Sequence, residues 1–390
     1  PGAETLDVRL TWQADDGVAV TKVYTFHRGD YRIDLRYEVE NTGEAPWRGH
    51  LYRQLLRTPP ADSGSMFLYT YTGGAIYTPE EKYEKIDFED MAETNLSREA
   101  DGGWAAMLQH YFLAAWIPPQ DETQQYYSKS PGGNRFILGM IGPAQSAVPG
   151  ETTTFRSVLF VGPKLQDHLA EIAPGLELAV DYGWLTVLAK PIFWLLDAIH
   201  SLLGNWGWSI IVLTLLIKLA FFKLSAKSYK SMAQMRKLQP RLQSLKERYG
   251  DDRQKMSEAM MKMYKEEKVN PLSGCLPILV QIPVFIALYW VLLESVELRQ
   301  ADFMLWLNDL SSPDPWFVLP VLMGITMLIQ HRLNPTPMDP IQAKVMMILP
   351  LAFTVFFAFF PAGLVLYWVT NNTLSIAQQW YITRKIAPAS

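Results

Sequence analysis

Hydrophobic and polar residues alternate along the first part of the chain. From Leu6 to about Gly162, apolar positions recur at every second residue, in segments such as YRIDLRYEVE and TTTFRSVLFVG that are rich in β-branched and aromatic residues. Turn residues separate these segments, among them NTG at Asn41–Gly43 and PGGN from Pro131. Short alternating segments between turns predict strands. We therefore expect residues 1–178 to form an antiparallel β-sandwich domain.

Long apolar runs replace this alternation from about Trp194 onward. Several of them approach the ~20 residues that a helix needs to cross hydrocarbon. Residues 202–386 are therefore predicted to form an α-helical membrane domain of five transmembrane helices. The third and fourth spans are short, since ~15 residues cover only ~23 Å, and they predict a locally thinned bilayer. The five spans are about Leu203–Leu224, Leu272–Val296, Trp316–Ile329, Val345–Phe360 and Gly363–Ile382.

Residues 179–201 connect the two predicted domains. Their apolar positions are interrupted by Lys190, Pro191 and Asp197, and tryptophans stand at Trp184 and Trp194. This combination favours an amphipathic helix that lies in the membrane interface. The alternative is a linker helix packed on the sandwich.

The segment 226–268, between the first two spans, carries two helical patterns joined at YGDD. Apolar residues recur there every three to four positions, which predicts an antiparallel helical hairpin. Methionine suits surfaces that accept varied apolar peptides, so four methionines are candidates for contact with a substrate. The alternative is that they form an internal seam between the two arms. The four are Met232, Met235, Met260 and Met263.

Charge is distributed unevenly along the chain. The formal net charge of −4 combines an acidic region before about Asp181 with a concentration of Lys and Arg in Lys223–Lys268. Basic loops face the cytoplasm, which predicts a cytoplasmic hairpin and C-terminus and an extracytoplasmic sandwich. Positive charge near a membrane favours anionic lipids or ribosomal RNA. Because no RNA-binding motif is present, sequence-specific nucleic-acid recognition is not expected.

Motifs for catalysis are missing from the sequence. It contains no HExxH, GxSxG, phosphate-loop or dinucleotide-binding motif, so neither a catalytic site nor a metal or cofactor is expected. Its single cysteine, Cys275, lies in an apolar run and is interpreted as a packing thiol.

Lys218 is the most unusual residue of the predicted spans. A charge at mid-span costs about 2.5–3.5 kcal/mol, and no Asp or Glu lies at comparable depth. Lys218 could extend toward the basic inner end of its helix, or it could face a water-filled recess lined by amides and hydroxyls. Thr214, one turn earlier, shares its face. The other polar residues of the spans are Gln281, Thr326, Gln330, Thr354, Asn371, Asn372, Ser375 and Gln378.

Several long motifs occur in a familiar order. GNWGWSIIVLTLLIK, MRKLQPRLQSLKERYGDD, KVNPLSGCLPILVQIPVFIALYWVL and FTVFFAFFPAGLVLYWVTNNTLSIAQQW resemble the YidC-type membrane protein insertases of Gram-negative bacteria. The preceding β domain resembles the large periplasmic domain of that family. The resemblance implies a location in the bacterial inner membrane and an additional N-terminal anchor helix, which is not in this sequence.

The resemblance also implies a hydrophilic groove that opens to the cytoplasm and the lipid. Thr214 and Gln281 match groove residues, and Asn372 joins them as one of the amides expected around Lys218. Lys218 stands where the family usually has an arginine. The positive charge is therefore kept, but the planar guanidinium, which can donate two parallel hydrogen bonds to a carboxylate, is lost. Ile282, Pro283, Phe285, Phe356 and Trp368 match the surface along which an arriving transmembrane segment slides.

The expected function is therefore that of a non-catalytic insertase and chaperone for nascent membrane proteins. The resemblance implies action alone or with the Sec translocon, with the ribosome and the signal recognition particle receptor as further partners. The alternative is a secondary transporter that uses Lys218 as a substrate or proton site.

Overall fold

The computed structural model describes residues 3–60, 70–250, 252–267, 276–333 and 340–386. The chain divides into two compact units, Pro1–Asp181 with Glu294–Val296, and Tyr182–Leu293 with Glu297–Ser390. The first unit is built mainly of strands and the second of helices. Cys275 lies outside the described residues.

Fourteen strands and two short α-helices lie in the described part of the first unit. The helices are α1 (Phe88–Glu93) and α2 (Gln166–Ile172). The strands are β1 (Thr5–Gln13), β2 (Val18–His27), β3 (Arg32–Asn41), β4 (Trp47–Gly49), β5 (Tyr52–Arg57), β6 (Gly73–Thr78), β7 (Lys82–Ile86), β8 (Ser97–Asp101), β9 (Trp104–Leu108), β10 (Phe112–Ile117), β11 (Thr123–Gly132), β12 (Arg135–Ile141), β13 (Gln145–Ala147) and β14 (Thr152–Pro163).

These strands form two large antiparallel sheets and one small one. The first sheet has eight strands in the order β1-β2-β3-β14-β10-β9-β6-β7, the second has four in the order β5-β12-β11-β8, and β13 pairs with β4. Ile76 and Met107 of the first sheet share a buried core with Tyr126 and Leu138 of the second. Alternate residues face this core because side chains of a strand point to opposite faces. The predicted β-sandwich is confirmed.

A buried arginine connects the two large sheets. Arg53 on β5 is 3% exposed, and its Nε donates to Ser157 Oγ at 2.7 Å. Its other nitrogens donate to Gln124 Oε1 at 3.2 Å and to the carbonyl of Arg156 at 2.9 Å. Burial lowers the pKa of the guanidinium to about 10, an effect that the nearby Glu122 carboxylate partly opposes. The charge is therefore kept at neutral pH.

Arg53→Ala should destabilise the sandwich by about 2–4 kcal/mol, because it opens a cavity and removes the donors of two buried acceptors and one partly buried acceptor. Hydrogen exchange of the β5 and β12 amides in the full chain measures the loss. Arg135→Ala is the matched control, since Arg135 lies in the same sheet but is exposed, and it should change stability by less than about 0.5 kcal/mol. Equal losses in the two variants would contradict the assigned role of Arg53.

Nine helices make up most of the described second unit. Five of them, α4 and α8 to α11, lie at the five predicted spans. The other four are α3, before the first span, and α5, α6 and α7 between the first and second. The bounds are α3 (Thr186–Leu203), α4 (Trp206–Ala220), α5 (Phe222–Lys237), α6 (Gln239–Tyr249), α7 (Arg253–Glu266), α8 (Leu276–Glu294), α9 (Val318–Leu333), α10 (Pro340–Phe357) and α11 (Ala362–Tyr381).

Length and composition identify few unambiguous spans. Among the described residues, Gly183–Leu203 is by itself long and apolar enough to cross a membrane. Trp206–Ala220 and Phe222–Tyr249 meet this criterion only together, and they are bent by 69°. The shorter apolar segments are Val280–Glu294, Val318–Leu333 and Lys344–Phe357. The interfacial helix expected at 179–201 therefore stays a prediction.

The loop between α8 and α9 holds together the N-terminal ends of three helices. Asp314 is 1% exposed, and its Oδ2 accepts from the Leu319 amide in the first turn of α9 at 2.7 Å. The amides of Ala362 and Gly363, at the start of α11, donate to loop carbonyls at 2.8 Å. Asn205, which caps α4, donates to the carbonyl of Phe303 at 3.0 Å. The loop therefore fixes one end of α4, α9 and α11.

A second carboxylate, Asp309, organises the loop itself. Its Oδ1 accepts from the amides of Gln300 and Ser311 at 3.0 and 2.9 Å and from the Ser311 hydroxyl at 2.7 Å. Its Oδ2 accepts from the Ser312 hydroxyl at 2.7 Å. Burial alone would raise the pKa of Asp309, but these hydrogen bonds outweigh it and hold the pKa below its usual value.

This lowered pKa predicts an acid-sensitive loop. A carboxyl whose pKa is depressed on folding stabilises the fold above its unfolded pKa of ~3.9 and loses that contribution as the pH falls through the folded pKa. Protection of the Gln300 amide against hydrogen exchange should therefore drop below about pH 4. Asp309→Asn should lower this protection roughly tenfold at neutral pH and remove its pH dependence. The same acid sensitivity in Asp309→Asn would contradict the assignment.

Candidate functional site

Lys218 is buried in the last turn of α4. The helix is apolar around it, and Asn205 caps its first turn by accepting from the Trp208 amide at 3.1 Å. Lys218 is 8% exposed, and its Nζ donates to Ser375 Oγ on α11 at 2.8 Å. Within the described ranges, Lys218 forms no ion pair with a carboxylate. Its ammonium is therefore held by a neutral acceptor.

A cavity of about 290 Å³ lies beside Lys218, between α4, α8 and α11. Its polar lining consists of Lys218 and three amides, Gln281, Asn371 and Asn372. Its apolar lining comes from Ile217, Ile282, Val284, Phe285, Tyr367 and Trp368. A cavity of this size with few polar groups among apolar side chains is typical of a binding site.

The amides on the polar side are connected to neighbouring helices. Gln281 on α8 donates to Ser225 Oγ on α5 at 3.4 Å. Asn372 on α11 donates to Thr326 Oγ1 on α9 at 3.3 Å. Because these bonds join four helices, they set the positions from which the amides reach the cavity.

Aromatic rings dominate the apolar side. The Phe285 ring on α8 meets the Trp368 ring on α11 edge to face at 4.7 Å and the Tyr367 ring at 5.7 Å. Edge-to-face pairs fix ring orientation. These rings therefore form a continuous apolar surface beside the charged end of the cavity.

Most of the predicted groove and slide residues meet at this cavity. Lys218, Gln281, Asn372, Ile282, Phe285 and Trp368 line it. Thr214 does not, because it is 1% exposed and its hydroxyl donates to the carbonyl of Ile210 at 2.6 Å. Neither Pro283 nor Phe356 is among the lining residues. Phe356 instead packs against the rings of Phe357 and Phe360.

Five residues at or next to the cavity were not singled out as site residues from the sequence. Ser375 holds the Lys218 ammonium, and the other four line the cavity: Ile217, Val284, Tyr367 and Asn371. A sequence pattern that could have identified two of them is present in α11, because Asn371 and Ser375 are polar residues one turn apart on the same helical face. Scattered amides and hydroxyls are common between membrane helices, so spacing alone does not distinguish these two from the rest.

The methionines of the hairpin lie mainly inside it. Met263 on α7 is 7% exposed and shares a buried cluster with Leu238 and Leu242 of the other arm. Met235 and Met260 pack against the same cluster. Met232 is half-buried on α5 and is not a member of it. The described contacts therefore favour the internal seam over an open surface for three of the four methionines.

Comparison with known proteins identifies both parts of the chain. Residues 198–389 match the family described as 60Kd inner membrane protein, and residues 1–195 match the family described as YidC periplasmic domain. A membrane protein insertase YidC from Alkalilimnicola ehrlichii is 60% identical over 387 residues, which are 99% of this chain and 69% of that protein. This chain belongs to the YidC family of membrane protein insertases.

Other members of the YidC family are similar over the same region. A membrane protein insertase YidC from Thioalkalivibrio sulfidiphilus is 59% identical over 391 residues, covering 100% of this chain and 70% of that protein. A solved structure of an active YidC insertase covers 96% of this chain at 18% identity, with a TM-score of 0.45. The family matches confirm the resemblance seen in the sequence, together with a periplasmic domain that precedes an inner membrane domain.

Proposed function

We propose that this protein is a membrane protein insertase that moves nascent transmembrane segments from the cytoplasm into the inner membrane. The observation that carries the proposal is the buried Lys218, which lines a partly polar cavity and has a hydroxyl, not a carboxylate, as its hydrogen-bond partner. A fixed positive charge in such a cavity attracts acidic and polar chain segments. Relatives named as insertases support this function.

The proposed orientation places the sandwich in the periplasm and the hairpin and C-terminus in the cytoplasm. Charge supports it, because basic residues concentrate between α4 and α8 while the loop between α8 and α9 holds Asp302, Asp309 and Asp314. Basic segments stay on the cytoplasmic side. Lys218, near the C-terminal end of α4, then lies toward the cytoplasmic end of the cavity.

The hairpin of α5, α6 and α7 is the proposed site of capture. Its basic surface suits anionic lipid headgroups and the phosphates of ribosomal RNA, so the ribosome is a proposed partner. We assign the Sec translocon and the signal recognition particle receptor as further partners on the strength of the family alone. In this scheme the buried cluster of Leu238, Leu242 and Met263 stabilises the hairpin. The nascent segment docks on the outer surface of the hairpin.

The cavity is the proposed entry site for the polar leading end of the segment. The leading end is attracted by Lys218 and hydrated by the amides, while the apolar part of the segment moves along the Ile282, Phe285 and Trp368 side. Release into lipid is driven by burial of apolar surface, at about 25 cal/mol per Å². No covalent step occurs, so the cycle requires no catalytic residue, metal or cofactor.

In this mechanism, a thin membrane near the cavity lowers the free-energy barrier that the polar end of the substrate meets in crossing the hydrocarbon core. α9 has 16 residues, which correspond to about 24 Å of helix, whereas a typical hydrocarbon core is ~30 Å thick. A short span draws the bilayer surfaces together. The polar end of a substrate then crosses a shorter apolar distance.

Reconstitution tests the proposed function directly. The purified full chain in liposomes should insert a short single-span protein without nucleotide, measured as protection of the translocated end against protease. Empty liposomes give the background. A lack of insertion, combined with uptake of a small solute that depends on Lys218, would establish the transporter alternative instead.

A further inference from the structure

The hydroxyl of Ser375 is the only hydrogen-bond partner of the Lys218 ammonium among the described residues. Ser375 is 8% exposed on α11, one turn after the cavity residue Asn371. Its own proton is donated to the carbonyl of Asn371 at 2.7 Å. A hydroxyl has one donor and two acceptor sites. The oxygen of Ser375 is therefore an acceptor toward Lys218, and its direction is fixed by the helix backbone.

The Lys218 ammonium has hydrogen-bond donors that the bond to Ser375 does not use. A lysine side chain has three donors, and the bond to Ser375 occupies one of them. Lys218 also lines the cavity. Within the part of the chain that the structure describes, two N–H groups therefore remain for a polar group that enters the cavity.

A lysine needs such a fixed acceptor more than an arginine does. Its charge is a point at the end of a flexible four-carbon stem, and an unrestrained stem extends toward the nearest water at the helix end. Lys218 stands two residues before the end of α4, so this route is short. An acceptor on α11 holds the ammonium at the depth of the cavity.

We propose that Ser375 is a positioning residue for the insertion reaction, which keeps the Lys218 ammonium at the cavity with two N–H groups available to the substrate. This inference rests on the proposed function of Lys218. It predicts that the effect of removing the Ser375 hydroxyl depends on the presence of the ammonium, which would not hold for a residue that only packs helices together.

A double-mutant cycle in the reconstituted full chain tests the inference. The substrate is a single-span protein with an acidic leading end, and the readout is its initial insertion rate. Ser375→Ala should lower this rate about tenfold, since a hydrogen bond to a charged group is lost, and Ser375→Thr should restore it. In a Lys218→Met background, Ser375→Ala should cause no further decrease.

The matched control is Thr373→Ala on the same helix. Thr373 is exposed, and its hydroxyl donates to the carbonyl one turn earlier, as that of Ser375 does, but it does not contact Lys218. Its removal should leave the rate unchanged. An equal decrease from Ser375→Ala in both backgrounds, or none in the parent, would overturn the positioning role. If Lys218→Met inserts as fast as the parent, the proposed role of Lys218 is itself wrong.

Discussion

Lys218→Glu should slow the insertion of a segment with an acidic leading end by tenfold or more, whereas Lys218→Arg should keep most of the rate. The lysine lines the cavity and is held by a neutral hydroxyl, so an acidic replacement changes attraction into repulsion. Two unit charges ~6 Å apart at an effective dielectric of ~20 interact by about 3 kcal/mol, and every 1.4 kcal/mol corresponds to roughly a factor of ten. Partial hydration of the cavity reduces this value.

The measurement compares two substrates that differ only in the charge of the leading end. Lys218→Glu should impair the acidic substrate more than a neutral one. Lys223→Glu is the matched control, because Lys223 is exposed five residues farther along the chain and does not line the cavity. If parent, Lys218→Arg and Lys218→Glu insert the acidic substrate equally well, the charge has no part in the mechanism.

Met263→Glu should unfold the hairpin and weaken capture of nascent segments. Met263 is 7% exposed between Leu238 and Leu242, and the substitution replaces an apolar side chain in this cluster with a charge that has no partner there. We expect a loss of about 2–5 kcal/mol of hairpin stability. The spans should still fold, because the cluster lies within the hairpin alone.

Met261→Glu provides the control for Met263→Glu. Met261 is 54% exposed, so the same substitution adds a charge at the surface of the same helix. Hydrogen exchange of α6 and α7 should rise only in Met263→Glu, and crosslinking of a nascent segment to the hairpin should fall with it. Unchanged crosslinking to an unfolded hairpin would remove the hairpin from the capture step.

The β-sandwich could be predicted because one face of each strand is buried. In β12, for example, Phe136, Leu138 and Met140 face the core, and this burial produces the alternation that the sequence shows. Turn residues divide the alternation into strands of the right length. The pairing order could not be read in the same way, because β14 lies between β3 and β10, and such long-range neighbours leave no local pattern.

The types of residue that line the cavity could be predicted from the sequence, but which individual side chains reach it could not. A mid-span lysine and amides on three helices indicated a polar recess, and Lys218, Gln281 and Asn372 do line one. Thr214 shares the helical face of Lys218 but satisfies its hydroxyl on its own helix, an option that every Thr in a helix has. Sequence spacing cannot decide between that local bond and a bond across the cavity.

The first predicted span illustrates the limit of hydropathy. Its apolar run continues to Leu224 in the sequence, whereas α4 ends at Ala220 and α5 begins at Phe222. The chain turns inside the run, and Ser225 and Ser228, which follow the turn on α5, are buried. Burial of small polar residues depends on tertiary contacts, so an apolar window does not detect where the helix turns.

The loop between α8 and α9 fixes the bundle at one end only, so a helix that tilts moves most at its other end. It holds the first turns of α4, α9 and α11 together, while Lys218 lies twelve residues along α4 from Trp206, or about 18 Å from the pivot. A tilt of roughly 10° about that pivot displaces Lys218 by about 3 Å but hardly moves the loop. Exchange broadening on the millisecond timescale should therefore increase steadily along α4 from Trp206 to Lys218.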